Sequence, residues 1–128
     1  MKKLLSLLLV PFLLSACHSL RKKEELLSEA GFRTVRPATI AQTAHLNSLP
    51  QGHIIPVTKN GETLFLLADA KQKSLFIGNQ SQYQTYKQLG LKNQLSEDKL
   101  ATKSFNADSS AEWSAWGGIA SPLWSPDL

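Results

Sequence analysis

Along this chain the spacing of apolar residues changes several times, and each change marks an element. Leu4 to Leu14 is apolar, broken only by Ser6 and Pro11. A run of that length is too short to span a bilayer and has the size of the hydrophobic stretch of an export signal. Over Glu24 to Ala30 the pattern predicts a short helix. Glu24 and Glu25 suit a first turn, Leu26, Leu27 and Ala30 form one stripe, and Gly31 sits where a helix ends. Phe32-Arg33-Thr34-Val35 alternates as a half-buried strand does, and Pro37 breaks it. Thr39 and Gln42 have the spacing of a capping box. The helix they open would run to about Leu49, burying Ile40, Ala44 or Thr43, and Leu46 or Leu49. Pro50 and Gly52 end it.

Two strands then flank Lys59-Asn60-Gly61-Glu62, from Ile54 to Thr58 and from Thr63 to Ala68. Asn-Gly between apolar runs predicts a hairpin with a type I′ turn, because both residues tolerate positive φ. Pro56 places the first strand at a sheet edge, or delays its start. Leu64-Phe65-Leu66-Leu67-Ala68 is continuously apolar, so that strand should be central and covered on both faces. Asp69 to Lys73 is a polar turn, and Ser74 to Gly78 a third strand. Asn79 or Ser81 can cap a last helix through about Leu89, stopped by Gly90, with Tyr83 and Tyr86 as a packing stripe against the sheet.

From about Ser96 the chain turns to Ser, Ala, Asp, Lys and Asn, followed by Trp113, Trp116, Gly117-Gly118, Pro122, Trp124 and Pro126. This is the composition of a flexible tail. Its three tryptophans could fold back onto the domain, dock on a partner or touch the membrane interface. Fold-back or simple disorder ranks ahead of a partner. The expected fold is α+β: a small, mainly antiparallel sheet of three or four strands, packed with two or three short helices and ending in that tail. The expected boundaries are 1–16 for a signal peptide, 17–23 for an anchor and linker, 24–95 for the domain and 96–128 for the tail.

Charge narrows the partners. The net +4 includes Lys2 and Lys3, so a chain lacking residues 1–16 carries only +2. That is no nucleic-acid footprint. Cys17 is the single cysteine, so no disulfide can staple the domain. Its core alone must supply the roughly 5–15 kcal/mol typical of a small fold.

The position of that cysteine is informative. Lys2-Lys3, the apolar run and then Leu14-Ser15-Ala16-Cys17 follow in the order of the lipobox of bacterial lipoproteins, which this segment resembles. The resemblance implies a diacylglyceryl group on the Cys17 thiol, cleavage before Cys17, and acylation (palmitate-type chains) of the new amino terminus. One acyl chain anchors marginally, at about 0.8 kcal/mol per buried CH₂, whereas two or three hold firmly. His18 stands where an aspartate would retain an enteric-type lipoprotein in the inner membrane. The resemblance therefore implies the periplasmic leaflet of the outer membrane, ahead of the inner membrane. A plain signal peptide would leave Cys17 a free thiol in an oxidising envelope, an awkward orphan. Arg21-Lys22-Lys23 reads either as attraction to anionic headgroups or, slightly preferred, as the solvated start of a helix.

A second likeness covers roughly residues 17–90. Ala30-Gly31-Phe32-Arg33, Gln42-x-Ala44-His45-Leu46-x-x-Leu49-Pro50, Gly61, Ala68-Asp69, Phe76-Ile77-Gly78 and Tyr83-Gln84-x-Tyr86 together resemble a group of small proteobacterial lipoproteins. The motifs of that group carry no known chemistry. Its members often have a tyrosine near Leu67 and a cysteine pair before the strand ending in Gly78. Here that stretch is Lys71-Gln72-Lys73-Ser74, so a redox or metal role built on such a pair does not transfer.

Other chemistry is sparse. No nucleophile elbow, phosphate loop, zinc helix motif or calcium loop appears. The histidines are His18, His45 and His53. His45 and His53 flank the Leu49-Pro50 turn and, with Asp69, would make a weak metal set. Ser74 or Ser81 with His45 and Asp69 is an imaginable triad that no spacing selects. No catalytic residue, metal site or cofactor is assigned. The reading is a non-enzymatic envelope binding or assembly accessory. It is held to membrane lipid through Cys17, with His18 as sorting position. Trp113, Trp116 and Trp124 are the candidate contacts to an envelope protein partner. A structural lipoprotein without a ligand ranks second, and a small metal-binding or hydrolytic protein below that.

Overall fold

The computed structural model describes residues 10–93, 104–108 and 111–117, with the backbone alone over 10–19 and at 111. One sheet contains β1 (Arg33–Val35), β2 (Ile54–Lys59), β3 (Glu62–Asp69), β4 (Ser74–Gly78) and β5 (Phe105–Asn106), in the order β1-β4-β3-β2-β5. The pairings are antiparallel except β2 with β5. Three α-helices, α1 (Val10–Glu29), α2 (Ile40–Ser48) and α3 (Gln80–Lys92), and a 3₁₀ helix over Ala111–Trp116 complete the unit. The α+β class and mainly antiparallel sheet are those expected. The sheet gains one strand, and that strand comes from beyond Ser96.

The period of two along β3 explains the layers. Leu64, Leu66 and Ala68 point to one face, where Ile55, Val57, Leu75 and Ile77 meet Leu46 and Leu49 of α2 together with Trp113 and Trp116. Phe65 and Leu67 point to the other, where Ile54 and Phe76 meet Leu26, Leu27, Ala30 and Phe32 from α1 and its exit, and Tyr83 and Tyr86 of α3. Both faces are covered, so Leu64 to Asp69 is buried throughout and needs no polar alternation. Phe65 and Tyr83 stack at 4.1 Å between centroids, which fixes α3 on its face.

Local chemistry sets the turns. Asn60 (φ 53) and Gly61 (φ 78) both lie in the left-handed region, as a type I′ hairpin demands. Pro56 pairs opposite Phe65 within β2. Thr58 turns its carbonyl to the Ala107 N–H at 2.8 Å, so by alternation the backbone of Pro56 also faces away from β3. The missing N–H thus costs the central ladder nothing. Gly31 (φ 101) closes α1 with a Schellman pair, its N–H to the Ser28 carbonyl at 3.1 Å and the Phe32 N–H to the Leu27 carbonyl at 3.0 Å.

Helix bounds differ from expectation in three places. α1 is already helical at Val10, the first described residue, rather than from Glu24, because nothing between Pro11 and Glu29 breaks a helix. α3 begins with a complete Asn79–Gln82 capping box, both bonds 2.8 Å, but runs through Gly90 to Lys92. One glycine costs a helix about 1 kcal/mol and does not by itself end it. On α2 the buried stripe is rotated: His45, Leu46 and Leu49 are inside, Thr43 and Ala44 are exposed, and Ile40 is 91% exposed. Gln42 is the cause. Its side chain accepts from the Ala38 N–H (2.6 Å) and donates to the Ala115 carbonyl (2.9 Å), turning the Gln42-His45-Leu46-Leu49 edge inward. Half of the predicted capping box remains, the Gln42 N–H on Thr39 Oγ1 at 3.1 Å.

Candidate functional site

Two polar clusters lie at the ends of the two layers, and neither matches a catalytic or metal constellation. The first joins α1 to one end of the sheet. Leu20 packs against the α1–α3 core, and Lys23 donates from Nζ to the Gly52 carbonyl at 2.9 Å. One turn after Leu20, Glu24 meets Asp69 at the end of β3. Burial and the hydrogen-bonded Asp69 carboxylate raise Glu24 from 4.5 to about 8, against a smaller opposing pull from Arg21. Glu24 therefore carries the proton that a bond between two carboxyl groups needs, while its Oε1 is buried with no partner. Asp69 also accepts from the Gln72 N–H at 3.3 Å, which holds the turn into β4.

The second cluster docks the C-terminal segment. The Trp116 indole N–H donates to His45 Nδ1 at 2.8 Å. That bond requires the tautomer protonated on Nε2. Nε2 is buried without a hydrogen-bond partner and lies 3.9 Å from Glu112 Oε2. Trp113 meets the same imidazole edge-on at 4.4 Å. Burial pushes His45 below its ordinary pKa, and the Glu112 carboxylate pulls part of the way back. On the neighbouring edge the Asn60 N–H donates to Asp108 Oδ2 at 2.7 Å, and Lys59 Nζ lies 3.6 Å from Asp108 Oδ1.

These placements revise several assignments. Trp113 and Trp116 are 2% and 3% exposed and belong to the core, which is the fold-back alternative and removes them as candidate partner contacts. An indole buries so much apolar surface that a groove over β2 and α2 captures it. Trp124 lies outside the described residues. Among the described residues, the folded unit takes in 104–108 and 111–117 as well as 24–93; residues 94 and 95 of the expected domain lie outside the described residues. Cys17 and His18 sit on the helical backbone of α1. His45 is buried and His53 exposed, so the weak metal set is divided. Ser74 Oγ donates to the Gln72 carbonyl at 3.0 Å, and Ser81 is exposed, so the imagined triad is not assembled. Among the described residues, no three His, Cys, Asp or Glu side chains are grouped to hold a metal ion, and no helix is long and apolar enough to cross a membrane. A shallow groove of about 490 Å³ runs along the outer side of α2, between Pro37, Ile40 and Asn47.

The His45–Trp116 bond spans 71 positions and the Glu24–Asp69 contact joins elements far apart in sequence. No periodicity pairs such residues in advance. Only the buried stripe of α2 and the presence of tryptophans hinted at the first. No family model, no curated protein and no solved structure matches the chain.

Proposed function

We propose that this chain is a lipid-anchored, periplasm-facing envelope lipoprotein that acts as a binding or assembly accessory and not as a catalyst. The observation that carries the reading is the order Lys2-Lys3, apolar run, Leu14-Ser15-Ala16-Cys17. With His18 after the cysteine, the site of residence is the periplasmic leaflet of the outer membrane. Cys17 lies three residues before Leu20, which already packs on the core, so an acylated Cys17 would seat the domain directly on the bilayer. The engagement of polar side chains supports the non-catalytic part. His45 is occupied by Trp116, Ser74 by Gln72, and Asp69 by Gln72 and Glu24.

Cys17→Ser tests the anchor. The variant should lose incorporation of labelled palmitate and accumulate as unprocessed or soluble chain. Normal processing and membrane retention of the variant would overturn the lipoprotein reading. A photoreactive residue at position 40, the most exposed large apolar side chain among the described residues, tests the accessory role in intact envelopes. A discrete crosslinked protein supports it, and absence of any adduct leaves a structural lipoprotein. Alanine at Trp113 or Trp116 is unsuitable for this purpose, since it would unfold the face it was meant to probe.

A further inference from the structure

The end of the sheet that α1 meets between Leu20 and Glu24 collects basic side chains from three separate stretches. Arg21 and Lys22 come from α1, Arg36 follows β1, and Lys71 and Lys73 sit in the turn between β3 and β4. Strand register brings them together. The end of β1 and the end of β3 both pair with the start of β4, Val35 with Leu75 and Asp69 with Ser74. Arg36 Nη1 reaches the Gln72 carbonyl at 3.3 Å, placing it between Lys71 and Lys73. α1 is tied to the same end through Lys23 and the Gly52 carbonyl, and through Glu24 and Asp69. Arg21, Arg36, Lys71 and Lys73 are exposed and Lys22 is half-buried. The acids in this region are Glu24, which holds a proton near neutral pH, the buried Asp69, and Glu25. The opposite end is mixed, with Arg33, Glu29, Glu62 and the Lys59–Asp108 pair.

We propose that this basic end is a membrane-apposed face that binds the anionic headgroups of the bilayer carrying the anchor. The inference rests on the reading of Cys17 as the lipid-bearing residue, which sets the distance. At 1.5 Å per residue, Cys17 lies about one helical turn beyond Leu20, and Leu20 is level with the Gly52 loop. Lipid attached there brings Lys71, Lys73 and Arg36 within a Debye length of the headgroups, about 8–10 Å at ordinary salt. Each basic residue so placed strengthens attachment to an anionic surface roughly fivefold. The face thus adds orientation to tethering: it holds the sheet end-on to the bilayer and turns the outer side of α2 sideways, away from the lipid.

The test uses the full chain as isolated from envelopes, reconstituted into vesicles of phosphatidylcholine alone or with about one-third phosphatidylglycerol. Amine labelling is read lysine by lysine by mass spectrometry, and the mass of the N-terminal peptide reports acylation in the same sample. The expected result is several-fold slower labelling of Lys71 and Lys73 in the phosphatidylglycerol vesicles, lost at high salt, with Lys59 at the opposite end of the sheet unchanged. The triple variant Arg36→Gln, Lys71→Gln, Lys73→Gln should show no difference between the vesicles in protection of Lys22. Equal labelling of Lys71 and Lys73 in both vesicles overturns the proposal, even where the N-terminal peptide is acylated. Protection with an unacylated N-terminus supports the face and removes the anchor reading, so the two fail separately.

Discussion

Trp116 holds His45 in one tautomer, and the energetic weight of that bond follows from its burial. Trp116→Phe keeps most of the apolar contact and deletes one donor, leaving His45 Nδ1 an unsatisfied buried acceptor. Stranding such a group costs about 1–3 kcal/mol. The unfolding free energy should fall by that amount, seen as a lower denaturant midpoint at unchanged slope, and the ¹⁵N shift of His45 Nδ1 should move. An unchanged Nδ1 signal would show that the indole is not its partner. Gly78 makes a different single-residue demand. A Cβ there would lie 2.6 Å from the Phe32 ring, far inside contact distance. Gly78→Ala should lose about 1–3 kcal/mol through overpacking. Phe32→Leu added to it should recover part of the loss, and a double variant worse than the sum of the singles would exclude that clash as the cause.

At the scale of elements, residues 104–108 and 111–117 behave as part of the domain. β5 hydrogen-bonds along Val57 and Thr58, and the 3₁₀ helix lays Trp113 and Trp116 over the α2 face. Removing a buried tryptophan side chain costs about 3–5 kcal/mol, and a small domain has only 5–15 to lose. Truncation after residue 95 should therefore abolish the sharp thermal transition, whereas truncation after Gly117 should preserve it. Sharp melting of the shorter chain would show that the tryptophans do not hold the fold. The hairpin, the central strand, the Schellman end of α1 and the Asn79 cap were legible in the sequence because each is governed by residues within five positions. The Ser96–Trp116 stretch was not, since its low apolar content describes the chain and not the groove that receives two indoles. The rotation of α2 was hidden for a related reason. A nine-residue helix offers more than one apolar edge, and Gln42, anchored by a carbonyl 73 positions away, chooses between them. Of the candidate site residues, Cys17 came from local order alone, while the Glu24–Asp69 and His45–Trp116 pairs exist only through the fold.

For the whole molecule, the two pairs pull stability in opposite directions as pH changes. His45 has a lowered pKa when folded, so below its ordinary value of 6.5 the unfolded chain takes up a proton that the folded chain refuses. Its contribution is complete above 6.5 and falls as pH drops through that value. Glu24 is raised from 4.5 to about 8 by folding, so its contribution is complete below 4.5 and is lost as pH rises through about 8. Between 6.5 and about 8 the Glu24 slope acts without the His45 slope; below 6.5 the two oppose. The melting temperature should therefore peak on the mildly acidic side of neutrality and decline towards pH 8. Glu24→Gln keeps a donor for Asp69 and removes the titration. Its melting temperature should stay level from pH 6.5 to 8.5, where the parent falls. His45→Gln should do the reverse, abolishing the acid-side loss while leaving the alkaline decline. If Glu24→Gln declines above pH 6.5 as steeply as the parent, another group titrates there and the shared proton between α1 and β3 is ruled out. If it holds level, the joint that seats α1 on the sheet also sets the pH range over which the basic face next to it remains attached to a folded domain.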